Sequence, residues 1–464
     1  MIDCAIIIIG ATGDLTRKKL LGSLYRLYAA DKLSNFFMIG AALHQADAQH
    51  IVEQAAPFIP HRDEKKWNDF KKRFYYQQLD VNKQEDFIQL KKVVEQLEKK
   101  YKTTGNRLLY CATAAYFFCP ITMQVADAGL LKKKTKKSKS WHRIVYEKPF
   151  GHDLKSAQEI NKCIKESFDE SQIYRIDHYL TKELVSNIAL IRFTNCVFEP
   201  LWNHRFIDQI QIIVSETEGV EGRAGYYDTY GALSDVMQNH MLEMLALVAM
   251  ETPEKLTGEY IRDQRAKVLQ HIQVVDSLMG QYKEYRQEKH VQPDSITETF
   301  AIAQLRINNR RWAGVPIYLK TGKKLDKKET VIHIKFKQVD CLLAKYCPSD
   351  SNYLTIQVAP EASFTLSLNA KKPGDLNQVV PVKMEFCHSC LFGPHTPEAY
   401  EVLLEEIMHG EQSVAVRFDE IEYAWKIIDT IKKSIKNVYQ YKSGSVGPKE
   451  ADLFAKKHGM RWRS

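Results

Sequence analysis

The chain has no framework of cysteines to staple it. Nine are scattered over 464 residues without secretory spacing, which argues against a small disulfide scaffold. Cys387-His388-Ser389-Cys390 has the spacing of half a zinc site, but no second pair completes it. It is expected on a strand end or turn and is assigned no chemistry. The N-terminus, Met1-Ile2-Asp3-Cys4-Ala5 before four isoleucines, lacks a basic region and is too short an apolar run to span a bilayer. Internal repeats and long low-complexity linkers are also missing, which excludes solenoids and tethered modules. A reduced, cytoplasmic protein is expected, with no membrane partner and no metal.

What is present is material for a core. Apolar residues make up 44% of the chain and charged residues 27%, the balance of a soluble globular protein. The length suits two or three domains. The excess of 66 Lys+Arg over 57 Asp+Glu, a net +9, suits anionic small molecules. The basic residues are not gathered with interleaved aromatics, so no nucleic-acid partner is expected. The dense run Lys132-Lys133-Lys134-Thr135-Lys136-Lys137-Ser138-Lys139 reads as a solvated loop, with a phosphate-steering patch as the competing account.

Residues 6–9 form a continuous apolar run closing at Gly10, the pattern of a central parallel strand buried on both faces. Gly10-Ala11-Thr12-Gly13-Asp14-Leu15 follows, then a helical pattern with Leu20, Leu24, Leu27 and Tyr28 on one side. In that context Gly10 permits a tight turn, Gly13 lets backbone approach a pyrophosphate, and the helix start offers N–H groups. The spacing is G-x-x-G, so a glycine turn that binds nothing remains open on the pattern alone. Residues 36–40 read as the second strand. At its end a dinucleotide fold shows an acid for a ribose hydroxyl or an arginine for a 2′-phosphate; here stand Ala41-Ala42-Leu43-His44-Gln45. Leu79-Asp80-Val81 closes another extended segment, residues 86–100 are amphipathic helix, and 107–113 and 141–146 are strands. The last ends in Glu147-Lys148-Pro149-Phe150-Gly151. Lys148 thus sits where ligands bind in open α/β sheets, with a surface-turn lysine as the alternative.

Arg175-Ile176-Asp177-His178-Tyr179-Leu180-Thr181-Lys182-Glu183 concentrates chemistry. Asp177 can orient a base, and His178, Tyr179 and Lys182 can grip an anion. On a helix His178 and Lys182, four apart, share one face; a solvated helix start is the alternative. Beyond it the pattern changes to long helices and alternating strands. Ile332, Ile334 and Phe336 alternate with His333, Lys335 and Lys337, and 354–358 and 364–368 alternate likewise. This predicts a half-buried, largely antiparallel sheet in an α+β domain. A strand over 208–214 leads to Glu216. Gly231-Ala232-Leu233-Ser234-Asp235-Val236-Met237-Gln238-Asn239-His240 opens a helix with an apolar stripe at Met241, Leu245 and Val248. A lone histidine beside such a stripe is more often a core residue; here Asp235 and His240 lie on adjoining turns.

The strings resemble those of the glucose-6-phosphate dehydrogenase family. R-I-D-H-Y-L-T-K-E is similar to its R-I-D-H-Y-L-G-K-E, with Thr181 for glycine, and G-A-T-G-D-L to its G-A-S-G-D-L. The passage around Asp235 and His240 resembles D-x-x-G-A-L-R-D-M-x-Q-N-H, with Ser234 where an arginine is common. Thr297-Glu298-Thr299-Phe300, Arg311-Trp312-Ala313-Gly314-Val315-Pro316 and Tyr318-Leu319-Lys320-Thr321-Gly322-Lys323-Lys324-Leu325 continue the match. Other departures are Leu43 for an arginine, Ala114-Ala115 for Pro-Pro, and Asn308 for an aspartate. E-K-P, with Lys148, also occurs in a broader group of two-domain sugar oxidoreductases.

The resemblance implies an N-terminal Rossmann-like α/β dinucleotide-binding domain over residues 1–176. It implies a larger α+β substrate-binding and dimerisation domain over 177–464, with the active site in the cleft between them. The implied activity is oxidation of glucose 6-phosphate at C1 to 6-phosphogluconolactone with hydride transfer to NADP or NAD, at the entry to the pentose phosphate pathway. His240 would be the base and Asp177 its orienting carboxylate. His178, Tyr179 and Lys182 would hold the phosphate, Glu216 and Asp235 the sugar hydroxyls, and Lys148, Lys323 and Lys328 would complete the substrate site. Gly10, Thr12, Gly13, Asp14, Leu15, Leu43, His44, Asp80, Val81 and Lys148 would face the cofactor. A homodimer is implied. The alternatives are a related oxidoreductase acting on another hexose phosphate, and a non-catalytic sugar-phosphate or dinucleotide sensor. With Leu43 in place of arginine and no acid beside it, selectivity between cofactors should be weak. The ratio of catalytic efficiencies for NADP over NAD is expected below about a hundred; a larger ratio contradicts this.

Overall fold

The computed structural model describes residues 1–338, 351–374, 379–387, 390, 393 and 397–463. They form two compact units: Met1–Thr181 with Glu254–Arg262 and Pro397–Glu422, and Lys182–Pro253 with Asp263–Thr396 and Tyr423–Ser464.

The first unit is built on a sheet of β1 (Ile2–Ile9), β2 (Leu33–Ala42), β3 (Phe74–Gln78), β4 (Arg107–Cys111), β5 (His142–Tyr146) and β6 (Ile173–Ile176). Their spatial order is β6-β5-β4-β1-β2-β3, all parallel, and Ala415–Val416 pairs antiparallel on the outside of β6. The isoleucines Ile6–Ile9 are at most 1% exposed, because β1 lies mid-sheet with helices above and below. Tyr25, Trp67 and Phe70 pack edge and face between helix Leu21–Ala29 and helix Glu64–Lys72.

Segment Pro397–Glu422 returns to this unit for reasons its sequence does not show. Arg143, on β5, donates from one Nη1 to the carbonyls of Ile407 and Met408, both at 2.7 Å, ending the helix Ala399–His409. Arg26 pairs with Glu401 at 3.1 Å and Lys32 with Glu405 at 2.6 Å. The lysine run lies in a loop, where Lys133 Nζ donates to the carbonyls of Lys165 and Glu166 at 3.3 and 3.2 Å. Those carbonyls close the helix Leu154–Ser167, and a cation is favourable at a helix C-terminus.

The second unit holds β7 (Ile207–Ser215), β8 (Ile272–Tyr282), β9 (Phe300–Ile307), β10 (Ile317–Gly322), β11 (Glu329–Phe336), β12 (Tyr353–Ala359), β13 (Ser363–Lys371) and β14 (Val379–Cys387). The order is β14-β13-β12-β11-β7-β10-β9-β8, closed by Val438–Tyr441. Most neighbours are antiparallel, but β7 runs parallel to β10 and Val438–Tyr441 parallel to β8. Buried arginines anchor the helices: Arg192, fully buried, donates to the carbonyls of Val248 and Met250 at 2.9 Å.

Several expectations are corrected. Residues 177–182 are turn, and the helix begins only at Glu183 (Glu183–Thr194), so His178 and Lys182 do not share a helical face. The Asp177 carboxylate accepts the Tyr179 N–H at 2.9 Å and the Leu180 N–H bonds the Asp177 carbonyl at 3.0 Å, a local turn that competes with helix. Leu79-Asp80-Val81 follows β3 rather than ending it. His333 is buried, with Nδ1 3.0 Å from Thr355 Oγ1, because the C-terminal segment covers the sheet face it shares with Gln211, whose side chain bonds the Arg461 carbonyl at 2.8 Å and the Arg463 N–H at 3.1 Å. Reduced thiols were expected throughout, yet Cys119 is joined to Cys163 and Cys387 to Cys390. Packing of helix Phe118–Asp127 on Leu154–Ser167 brings the first pair together from 44 residues apart. His388 and Ser389 lie outside the described residues. Among the described residues no helix is long and apolar enough to cross a membrane.

Gly410 ends its helix at φ +89, and a Cβ there would stand 2.7 Å from Arg143 Nη2. Gly410→Ala should therefore cost about 1–2 kcal/mol in left-handed strain alone. It should lower the thermal midpoint; an unchanged midpoint contradicts the account.

Candidate functional site

In the first unit the candidate groups follow the carboxyl ends of parallel strands. After β1, Gly10 adopts φ +94 and its N–H bonds the Ala41 carbonyl at 2.8 Å. A Cβ there would meet the Ala112 carbonyl oxygen at 2.3 Å, so only glycine fits. The Gly13 N–H bonds the Gly10 carbonyl at 3.1 Å, and Thr16 Oγ1 donates to the same oxygen at 3.2 Å. Thr12, Gly13 and Asp14 are exposed and Leu15 is half-buried, leaving an open backbone rim above a helix start. This suits a pyrophosphate. The Asp14 carboxylate pairs with Arg17 at 2.5 Å and Lys18 at 2.7 Å, and the Lys18 hydrogen bond leads in holding its carboxyl below the usual range.

After β2, Leu43 is 54% exposed and His44 is exposed. Their backbone is fixed from β3: Gln78 Nε2 donates to the Leu43 carbonyl at 2.9 Å, and the Tyr76 hydroxyl donates to the carbonyls of His44 and Ala42. Asp80 and Val81 are half-buried; the Asp80 N–H bonds Asp86 Oδ2 at 2.8 Å, and its Oδ1 accepts the Asn82 N–H at 3.0 Å. After β4, Ala114 is exposed and Ala115 opens a short 3-10 turn, Ala115–Phe117.

After β5 comes Glu147, then half-buried Lys148. Glu147 Oε1 accepts from the hydroxyls of Tyr110 at 2.5 Å and Tyr400 at 3.2 Å. Burial pushes the Glu147 carboxyl up, against the two tyrosines and Lys148. The Tyr400 ring stacks on His178, centroids 6.2 Å apart at 15°, and His178 also meets Tyr179 edge-on at 5.0 Å. Glu147 and Tyr400 were missed as partners: they are 253 residues apart, and nothing local links them. After β6, Asp177 is 2% exposed, and His178 and Tyr179 are half-buried. Arg175 is an anchor, donating to Glu170 at 2.6 Å and Asn161 at 3.0 Å. Thr181 Oγ1 donates to the His178 carbonyl at 3.0 Å, closing the turn where the family motif has glycine.

In the second unit, parallel pairing sets Ser215 of β7 beside Gly322 of β10. The next residues, Glu216 and Lys323, then emerge together and form an ion pair. Lys323 also sits 5.5 Å from the centre of the Tyr227 ring. Lys328 lies farther out, exposed and paired with Glu218 at 2.6 Å. Lys182 precedes helix Glu183–Thr194 and is half-buried. Asp235 and His240 ride on Leu233–Met241, wound as a π-helix; with i→i+5 bonding, residues five apart are about one turn apart. Both are buried, 6% and 3% exposed. The His240 N–H bonds Asn239 Oδ1 at 2.7 Å. Glu298 accepts the Leu233 N–H at 3.0 Å at the start of this helix, a role its place in the Thr297–Phe300 motif does not reveal. Asn308 is exposed after β9, its N–H on the His271 carbonyl at 2.9 Å.

With this geometry in view, comparisons with known proteins agree along the whole chain. The family model for the glucose-6-phosphate dehydrogenase NAD binding domain matches residues 7–187, and that for the C-terminal domain matches 189–463. A glucose-6-phosphate 1-dehydrogenase of Bacillus subtilis (strain 168) is 40% identical over 483 residues, covering 98% of this chain and 97% of the relative. A solved glucose-6-phosphate dehydrogenase in complex with its substrate glucose-6-phosphate superposes with a TM-score of 0.92 at 32% identity, covering 100% of this chain and 99% of that one. The glucose-6-phosphate 1-dehydrogenase of Mycobacterium avium superposes at 0.86 with 30% identity over 100% and 99% of the two chains.

Burial raises the Glu298 carboxyl above its ordinary value of 4.5, with the Leu233 amide and Lys432 acting in the opposite sense. A raised folded-state value adds stability below the unfolded value and withdraws it as pH rises through the folded one. The urea midpoint of Glu298→Gln minus that of the unaltered chain should therefore increase from about pH 4 to about pH 7. A flat or falling difference contradicts it.

Proposed function

The chain belongs to the glucose-6-phosphate dehydrogenase family, and on that premise we propose how it oxidises glucose 6-phosphate at C1 to 6-phosphogluconolactone. Gly10, Thr12, Gly13, Asp14 and Leu15 hold the pyrophosphate end of a nicotinamide dinucleotide, with Leu43, His44, Asp80, Val81 and Lys148 along its length. Bound there, the dinucleotide supplies the hydride acceptor. The glycine turn fits it, since the space a Cβ would fill at Gly10 is taken by backbone and the rim beyond is open. NADP and NAD are both accepted, because the loop after β2 offers Leu43 where an arginine or an acid would discriminate.

His240 takes the C1 hydroxyl proton; an imidazole titrates near ~6.5 when unperturbed, which suits a base at neutral pH. Asp177 steadies the tautomer and charge of that imidazole. His178, Tyr179 and Lys182 grip the 6-phosphate, remote binding that positions C1. Glu216 and Asp235 accept hydrogen bonds from sugar hydroxyls, Lys148 bridges sugar and cofactor, and Lys323 and Lys328 add positive potential. Residues 1–176 act as the dinucleotide-binding domain, and residues 177–464 as the substrate-binding domain and the seat of a homodimer, in a cytoplasmic setting. What carries the reading is the match over both family domains, with Asp177, His178, Tyr179, Lys182, Asp235 and His240 each standing where the resembled motifs have the same residue.

Absorbance at 340 nm with glucose 6-phosphate and each cofactor tests the activity. His240→Asn should lower turnover by at least ~10² while leaving substrate affinity nearly intact. Lys182→Ala should weaken sugar-phosphate binding first. Unchanged turnover in the His240 variant would defeat the assignment.

A further inference from the structure

The helix Leu233–Met241 carries Asp235 and His240, yet no side chain of its own caps its start. Two groups from elsewhere in the second unit meet it there. Glu298, 8% exposed, accepts the Leu233 N–H at 3.0 Å through Oε1, and its backbone carbonyl accepts the Ala232 N–H at 2.9 Å. Gly231, at φ +66, makes room: a Cβ there would stand 2.3 Å from Glu298 Oε1. Lys432, near the end of helix Phe418–Ser434, donates from Nζ to Ser234 Oγ at 2.9 Å, with Nζ 5.7 Å from the centre of the Trp425 ring.

Ser234 is 1% exposed, so an ammonium has been drawn inward to reach a neutral hydroxyl. Such a group gives up water favourably only where negative charge is close. The Glu298 carboxyl is near enough for Lys432 to act on it, in the sense that favours its charged form. One turn thus has a buried carboxyl on its backbone amide and a cation on its adjacent side chain.

We propose that Lys432 is a positioning residue for the reaction: its ammonium, held on Ser234 while Glu298 holds the Leu233 amide, fixes the first turn of the site helix and with it the Asp235 carboxylate that receives the sugar. The inference rests on the dehydrogenase reading above. In the motif this passage resembles, an arginine is common at position 234; here a hydroxyl stands there and the cation arrives from 198 residues away. Serine and lysine together bring what one arginine brings, a positive charge and hydrogen-bond donors within the first turn. A lysine does so as a point charge rather than a planar fork.

Three chains are compared: unaltered, Lys432→Met, and Ser234→Arg combined with Lys432→Met. Steady-state KM for each substrate and the thermal midpoint are measured for each. Lys432→Met should raise the KM for glucose 6-phosphate about tenfold, the scale of one lost charge-assisted hydrogen bond, with the dinucleotide KM within about twofold. The double variant should return the sugar-phosphate KM to within about threefold of the unaltered value. A lowered midpoint with an unchanged KM reduces Lys432 to a structural residue and overturns the proposal, as does an equal KM rise in both variants. If Lys432→Met fails to fold, the double variant decides: a near-unaltered KM supports the proposal and a raised KM overturns it. An unaltered chain that does not oxidise glucose 6-phosphate sinks the dehydrogenase reading and this inference together. An active unaltered chain with an indifferent Lys432→Met sinks only the latter.

Discussion

In a parallel pair both chains leave the sheet at the same edge, so groups that follow such strands are gathered whatever their separation in sequence. The first unit uses this constraint repeatedly. Gly10, Leu43, Ala114, Lys148 and Asp177 follow β1, β2, β4, β5 and β6 respectively, and the sheet's register sets their spacing. The second unit uses it within a mostly antiparallel sheet. The parallel pair β7 and β10 delivers Glu216 and Lys323 side by side. An antiparallel β10 would have sent the lysine out at the opposite edge.

The loops so gathered are held by charges with little access to water. Each charge is partnered according to what lies nearby, because an isolated one would not stay ionised. Glu147 takes hydroxyl donors from Tyr110 and Tyr400, and Tyr400 in turn supports the His178 ring. Arg175 binds Glu170 and stacks over Phe150 and Phe418. Glu298 takes a backbone amide. None of these carries the chemistry proposed for the site, yet each fixes a residue beside one that does.

The departures from the family pattern look different once placed. Thr181 uses its hydroxyl to close the turn that presents His178, and Ser234 receives a lysine. Asn308 lies exposed at a strand end, held through its backbone. Leu43 projects into solvent from a loop fastened by Tyr76 and Gln78. Nothing in the structure explains Ala114 and Ala115.

The sequence by itself determined the parallel strand at the four isoleucines, the glycine turn, the lysine at the end of β5 and the alternating strands of the second half. These signals are local: a run, a period or a forced backbone angle is complete within a few residues. It also determined, through ordered motifs, which family the chain belongs to. It left a helix over residues 177–182 open, because spacing alone does not reveal an aspartate bonding its own backbone two residues on. Only the tertiary structure decided that Tyr400 answers Glu147, that Lys432 answers Ser234, that Cys119 meets Cys163, and that His333 is buried. Each depends on strand order and helix packing, which set distances between residues tens or hundreds of positions apart and leave no trace in the residues' immediate neighbours.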